Sequence, residues 1–593
     1  MIEMELETVR GTFKIEDCKV VIMLRDRVCE SSEQLLASKL CFEVVKRCLN
    51  RLARTSSPVC KVLGTKQPTD DNIRQLINIL IYLQKLQVND VLKVVDGADE
   101  FLSDINLFSD FVEYLYNYWR HFDRFIICDS EGDVLDKRPF RTFNSTIEYL
   151  TRLVRVTYRD IQENVTGTHP RIYRQVIAGA EMSAIALPKE INYHANIYKA
   201  LNVVPVVRQI LFYPPLVLNP PMNKRKGKFE RIDENPLEWF QPNKDEWLCY
   251  PAKAGSLIIY VYFHEKFYEL GLSLGNLFDL ADEEDLKRRP DAVFLFGVPQ
   301  EAFGADNVFP TVFYDDEANG ILIGAVPALN EFGYFGYLKK MILTLHNIVK
   351  MKSGSMPFHG ALVQIILKSG KSATLLLIGD TGAGKSETLE ALRCIGEETI
   401  GDLVIIADDM GSLELTDDGT VIGYGTETGA FLRLDDLQTG YAFGQMDRAI
   451  IMSPSQVNAR IVMPVTTFSN VIKGHKVDYI LYANNYEEVD EAHPIIEQFN
   501  TPDDALKVFQ EGKVMSKGTT TSTGLVSSYF ANVFGPVQYR ELHEELASKF
   551  FNAFFQTGVF VGLMRTRLGI AGFEHQGPDA SATELLKIIG QAH

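Results

Sequence analysis

Residues 379–386 read Gly-Asp-Thr-Gly-Ala-Gly-Lys-Ser, a G-x4-G-K-[ST] phosphate-binding loop with a hydrophobic run, Thr374–Ile378, before it and a helix-forming run, Glu387–Arg393, after it. Such a loop constrains the fold strongly, because it needs a buried strand to deliver it and a helix whose N-terminal end receives the phosphates. The glycines let backbone N–H groups wrap a polyphosphate, Lys385 reaches its outer phosphates, and the Ser386 hydroxyl can hold Mg²⁺. The helix that starts at Ser386 points its positive end at the same phosphates. The pattern predicts a nucleotide-binding α/β domain, with Gly379, Asp380, Thr381, Gly382, Ala383, Gly384, Lys385, Ser386 and Glu387 at the nucleotide and a nucleotide polyphosphate with Mg²⁺ as its ligand.

Composition narrows the partners. The chain has 593 residues, of which 46% are hydrophobic and 23% charged, enough for two to four globular domains with several cores. Its net charge of −18 argues against an extended nucleic-acid or anionic-membrane surface and leaves room for a local basic cleft. The opening Met-Ile-Glu-Met-Glu-Leu-Glu has neither a basic nor an apolar leader segment, and no apolar stretch reaches the roughly 18–20 residues of a spanning helix, so a soluble, cytoplasmic protein is expected. Eight cysteines show no C-x-x-C pair and no ligand spacing with histidine, which predicts reduced thiols.

Three regions follow from the patterning. Residues 1–130 are expected to form a helical N-terminal domain, since apolar residues recur at helical spacing from Ser31 to Phe125. Its aromatic stripe at Phe111, Tyr114 and Tyr118 reads as core. Residues 131–300 mix helical and strand patterns and read as an α+β lobe on the substrate side. Within it, the Pro- and charge-rich segment 214–242 is expected to be a loop, insertion or lid, its Lys224-Arg225-Lys226 run a solvated face. Residues 301–593 carry the nucleotide loop. Ala361–Leu367, then Lys-Ser-Gly-Lys-Ser, then Ala373–Ile378 reads as a hairpin feeding that loop, with His359 just ahead of it. Leu403–Ala407 reads as a buried strand ending in Asp408-Asp409, where a metal-holding acid is expected. Adjacent acids on a strand face opposite sides and can take separate roles.

Taken in order, these residues resemble ATP-dependent phosphoenolpyruvate carboxykinase, and next to it HPr kinase/phosphorylase, over roughly residues 300–590. Tyr334-Phe-Gly-Tyr-Leu-Lys339-Lys340 is similar to the carboxykinase Tyr-Gly-Gly-Glu-Met-Lys-Lys element, and His359 follows Lys340 by nineteen positions, as the family's histidine follows its lysine. Glu427–Arg433 resembles a Glu-Gly-Gly-Cys-Tyr-Ala-Lys stretch, with Arg433 in place of a phosphate-contacting lysine. Asn458–Pro464 resembles Asn-Thr-Arg-Val-Ser-Tyr-Pro, with Arg460 as its arginine. Tyr479–Asn485 and the 518–535 stretch follow the remaining core pattern.

The resemblance implies a P-loop carboxykinase-like catalytic core of mixed sheet with flanking helices. It implies catalytic roles for Lys340, His359, Lys385, Asp408, Asp409 and Arg460. Lys340, His359 and Asp409 would hold a second ion, Mn²⁺, beside the Mg²⁺ on Ser386, and a ligating Lys340 must be neutral, hence strongly depressed in pKa. Tyr334 would line the substrate site, Lys339 would face a phosphoryl group or metal, Arg433 would contact ATP, and Arg460 would touch both phosphoryl group and substrate.

Departures fall where substrate is read. Gly-Lys-Ser-Glu in the loop and Pro-Phe-His-Gly around His359 are closer to HPr kinases. The carboxykinase Thr-Gly-Arg-Ser-Pro motif has only a loose echo in Thr166–Arg171, where Thr168 stands for the carboxylate-binding arginine and Arg171 or Arg174 is left to replace it. The adenine clamp is represented by Thr521–Gly524 without its arginine. The leading expectation is conversion of oxaloacetate and ATP to phosphoenolpyruvate, CO₂ and ADP. The alternatives are a kinase acting on a small-molecule or protein hydroxyl with Asp408 as base, and a nucleotide-sensing regulatory protein. The sequence leaves the acceptor and the oligomeric state open.

Overall fold

The computed structural model describes residues 4–5, 11–24, 29–63, 68–129, 139–193, 195–225, 229–303, 311–434, 443–517 and 523–591. It is a mixed α/β structure with several mixed sheets and helices, and its contacts define two compact units.

The first unit comprises Met1–Pro188 with Pro205–Tyr213. Helices Ser32–Ala37, Lys39–Arg54, Asp70–Leu83 and Ile105–Arg120 fill the expected stretch, and the side chains of Ser31, Ser38, Thr69 and Asp104 cap their first turns. Their apolar faces make one core, in which Phe111 is buried and Tyr114 and Tyr118 pack at its edge. The expectation of an all-helical region is corrected by strands Gly11–Glu16, Lys19–Leu24 and Asp123–Cys128. Lys19–Leu24 runs parallel to Asp123–Cys128, and parallel neighbours require a long crossover, which the intervening helices provide. The sheet continues through Met182–Leu187 to Val206–Phe212, and helix Pro139–Thr166 lays Phe143, Ile147 and Leu150 against it.

The second unit comprises Lys189–Val204 with Pro214–His593. One of its sheets pairs Leu257–His264 with Trp247–Ala254 and with Ala292–Val298, and reaches Glu230–Ile232 through Ile321–Pro327 and Val312–Asp316. A second is centred on the long strand Met356–Leu367, which pairs with Ser372–Ile378 as the expected hairpin and also with Ile400–Ala407 and Met410–Leu415. Ser372–Ile378 continues in parallel to Tyr479–Asn484, and that strand to Phe560–Arg565. Both faces of this part are covered, so its strands read as nearly unbroken hydrophobic runs. A four-stranded sheet joins Gly429–Arg433, Arg460–Pro464, Ile450–Met452 and Leu216–Leu218. Segment 214–242, expected to be a loop, insertion or lid, joins two sheets through Leu216–Leu218 and Glu230–Ile232.

Helix Phe335–Lys352 is buried along nearly its whole length, as its run of apolar residues on every side demands. It nevertheless carries Lys339 and Lys340 in its second turn, and charges set so deep require specific partners. All eight cysteines are free. Among the described residues no helix is long and apolar enough to cross a membrane.

Candidate functional site

The phosphate loop leaves strand Ser372–Ile378 and enters helix Lys385–Ile395. Gly382 and Gly384 hold φ of 81° and 97°, backbone that L side chains rarely adopt. A Cβ on Gly384 would also stand 2.7 Å from Thr566 Oγ1. That closeness is tight packing, in which the Thr566 hydroxyl donates to the Ala383 carbonyl at 2.7 Å. Asn485 Nδ2 donates to the Gly382 carbonyl at 2.9 Å, and Ser528 Oγ to Asp380 Oδ2 at 3.0 Å. Three distant segments thus clamp the loop. Lys385 is buried, and its ammonium donates to the carbonyls of Gly379 at 2.5 Å and Asp380 at 3.2 Å, while Thr381 and Ser386 are exposed and Glu387 is half-buried.

Backbone register brings two other motifs to the same place. The Gly379 N–H donates to the His359 carbonyl at 3.3 Å, and the neighbouring Gly360 N–H donates to the Asp409 carbonyl at 2.9 Å. One strand therefore sets His359 between the start of the phosphate loop and the acidic pair. Asp408 and Asp409 form the bend between Ile400–Ala407 and Met410–Leu415, not the end of a strand, so they diverge by a turn of the chain instead of by pleat alternation.

Lys339 donates to Asp409 Oδ2 at 2.7 Å and lies 3.1 Å from Glu427 Oε1. The second contact is an ion pair whose alignment falls short of a hydrogen bond, so both Glu427 oxygens are buried without one. Burial by itself would lower Lys339, but the carboxylates of Asp409 and Glu427 overcome it and hold the ammonium above its ordinary value. Burial would raise Asp409, yet Lys339 and His359 hold it well below the usual carboxylate range. Burial pushes Glu427 up to about 8, with Lys339 opposing and Asp409 assisting. Burial, then the Asp409 charge, push Asp408 up to about 6 against Lys339 and Lys385. Asp409 keeps 30% exposure, so a ligand can reach it.

His359 places Nε2 at 2.9 Å from Asp409 Oδ1 and Nδ1 against the Ala531 carbonyl. A carbonyl only accepts, so Nδ1 carries a proton. The carbonyl comes from a run in which Phe530, Ala531 and Asn532 all hold left-handed φ of 47°, 54° and 63°, and such strain gathers at functional sites. Asp409 is held ionised and its carboxylate also only accepts, so Nε2 donates to it, and His359 can ligate a metal through Nε2 only by giving up that proton. Among the described residues no group of three or more His, Cys, Asp and Glu is arranged to hold an ion, so His359 and Asp409 fit a metal only with a different third ligand.

Lys340 points elsewhere than Lys339, as neighbours on a helix must. Its ammonium lies 4.8 Å over the Phe534 ring, beside which His359 also packs. Burial first, then the Arg225 guanidinium, lower Lys340 to about 8. Arg225 itself lies over Phe534 at 5.9 Å and Phe229 at 5.2 Å. Of the run expected to be solvated, Lys224 is exposed, Arg225 is turned inward, and Lys226 lies outside the described residues. Tyr334 caps the start of the lysine-bearing helix; burial raises its hydroxyl, with Arg460, Lys339 and Arg225 all opposing. Arg433 and Arg460 are directly opposed across two antiparallel strands, a like-charge pairing that an anion would relieve, and Arg460 also lies 5.4 Å over Phe431.

The structure thus brings together Tyr334, Lys339, Lys340, His359, Lys385, Asp408, Asp409, Arg433 and Arg460 from the expected set. Arg171 and Arg174 belong to the first unit, where both are exposed, and Thr168 there bonds with Thr166. Residues 518–522, which include the start of the expected adenine clamp, lie outside the described residues. Arg225, Glu427, Asn485, Ser528, Phe534 and Thr566 complete the site without having been singled out by chemistry. Comparison with protein-family models and with curated proteins found no match to this chain.

Proposed function

We propose that this chain is an ATP-using phosphotransferase with a carboxykinase-like P-loop core. The observation that carries the reading is the placement of His359, whose backbone joins the first glycine of the phosphate loop to the Asp409 bend. Phosphate-binding and acid–base groups thereby share one opening. In this mechanism Lys385 leaves the loop carbonyls for the outer phosphates of ATP. Arg433 and Arg460 offset the charge on the transferring group, which is where most of the catalysis of phosphoryl transfer lies. Arg225 holds an anionic group of the acceptor against Tyr334. Ser386 would hold Mg²⁺, and His359, Asp409 and a neutral Lys340 a second divalent ion such as Mn²⁺, which would supply Lewis-acid stabilisation of the acceptor oxygen.

The leading acceptor is oxaloacetate, giving phosphoenolpyruvate, CO₂ and ADP. A dianionic four-carbon acid needs a carboxylate clamp, best made by a guanidinium. Arg225 would supply one, where the sequence offered Arg171 or Arg174. The second reading, a hydroxyl kinase, is favoured by Asp408, whose raised pKa beside Lys385 suits a general base. Following ADP and phosphoenolpyruvate with Mg²⁺ and Mn²⁺, across oxaloacetate, sugars, polyols, serine and an HPr-like protein, separates the two. In the carboxykinase case Arg225→Ala raises KM for oxaloacetate by about 10²-fold with ATP binding nearly unchanged, and Arg171→Ala does much less. ADP release with a hydroxylated acceptor and none with oxaloacetate transfers the assignment to the kinase. ATP binding without turnover on any acceptor points to a nucleotide sensor.

A further inference from the structure

On another side of helix Phe335–Lys352 lies a cavity of 160 Å³, room for about five waters at roughly 30 Å³ each, lined by Lys350, Ser412, Glu414, Tyr424, Val471 and Ile472 among others. Its wall carries both signs of charge. Lys350 Nζ lies 2.9 Å from Glu414 Oε1 and 5.9 Å over the Tyr424 ring. Ser412 is fully buried, and its hydroxyl has no hydrogen-bond partner.

A second unsatisfied group stands close by. His346 is fully buried, and burial lowers it to about 3, so its ring is neutral. Asn347 gives its amide N–H to the Phe534 carbonyl at 2.7 Å, which leaves its Oδ1 to face His346 Nδ1 at 2.9 Å. Nδ1 therefore donates, and Nε2 is a bare acceptor with no partner. It lies beneath Gly255, where an added Cβ would come within 3.1 Å of both Nε2 and the Gly425 carbonyl, and Gly425 and Ser256 both line the cavity. Thr426 Oγ1, the next residue along, is likewise buried and unsatisfied. Buried polar atoms in native proteins almost always find partners, so the unpartnered Ser412 hydroxyl on the wall, with His346 Nε2 and Thr426 Oγ1 set behind the lining positions Ser256 and Gly425, marks a place able to take a bound molecule.

We infer that this cavity is a binding site for a small zwitterion of the α-amino-acid class. Lys350 and Glu414 pair with each other, so an ion of either sign would meet a like charge, whereas a molecule with an ammonium and a carboxylate can part them, pair with each and keep hydrogen bonds for Ser412. The apolar side of the cavity, with Val471 buried and Ile472 40% exposed, suits a short aliphatic side chain. The site stands independently of the phosphotransferase reading.

Calorimetric titration of the full chain, without nucleotide, with L-alanine, L-valine and L-leucine tests it. Saturable binding of at least one is expected. Isovalerate and isobutylamine, each lacking one charged group of valine, should bind at least about tenfold more weakly. Ser412→Ala, a change too small to upset folding, should weaken binding several-fold, and Glu414→Gln by about tenfold, with circular dichroism confirming that both variants stay folded. No binding of any of the three amino acids, equal binding of isobutylamine, or binding unaffected by Ser412→Ala would overturn the proposal.

Discussion

The phosphate loop and the cluster around Lys339 are joined through the strand that carries His359 but are made in opposite ways. The loop is eight consecutive residues whose lysine bonds to carbonyls five and six positions back. In the cluster, Lys339 reaches Asp409 across 70 residues, His359 reaches it across 50, and the carbonyl that turns His359 is 172 residues away. A local motif can be changed at one residue with the fold left standing. A non-local cluster of buried charge holds elements together, so damage to it should appear first as lost stability.

The largest effect expected is on the local side. Lys385→Ala should cut phosphoryl transfer by at least about 10³-fold, since it removes a charge that offsets the transition state, with little change in thermal unfolding. A folded variant that keeps more than a tenth of the rate would remove the loop from the mechanism. On the non-local side, above pH 8, where Glu427 is ionised as well as Asp409, Lys339→Met strands both carboxylates, and breaking a buried pair costs about 3–5 kcal/mol. Chemical denaturation should show that loss, and Lys339→Met with Glu427→Gln should be less destabilised than Lys339→Met alone. If Lys339→Met unfolds like the wild type, the contrast between the two regions fails.

Glu427 adds a pH test. Its folded pKa of about 8 stands above the ordinary 4.5, so the fold favours the protonated acid. The resulting stability is fully present below pH 4.5 and is lost as pH rises through 8, amounting to a few kcal/mol at most. Melting curves in chelator should fall across that window for wild type and flatten for Glu427→Gln; parallel curves would show Glu427 ionised throughout. The smallest effect concerns the strained turn. Ala531→Gly removes the side chain that disfavours a left-handed φ and should raise stability by up to about 1 kcal/mol, read by denaturant midpoint. A loss of stability would mean that the Ala531 methyl contributes more by packing than its backbone costs.

The same contrast explains what could be read from the chain. The strand, loop and helix of residues 372–395, the hairpin before them and the spacing from Lys340 to His359 follow from periodicity and motif, which are local. Arg225 does not: in sequence it is the middle of a basic run, and only tertiary packing against Phe229 and Phe534 turns it inward. Glu427 likewise looks like one acid among threonines, and its burial comes from the sheets on either side of its loop. The short strands of the first unit were outweighed by helical periodicity, although that periodicity is what covers them.

The ammonium of Lys385, finally, already has acceptors within the loop that it serves. On the proposed function, a nucleotide entering the loop would have to outcompete Gly379 and Asp380 for that proton donor, so its affinity would be a difference between two sets of hydrogen bonds. A triphosphate can win the exchange because its outer oxygens are charged. On the same reading a monophosphate, which lacks those outer oxygens, would compete less well for the lysine. The resting loop is its own weak competitor, and chain length of the phosphate becomes a threshold that a ligand crosses or fails to cross.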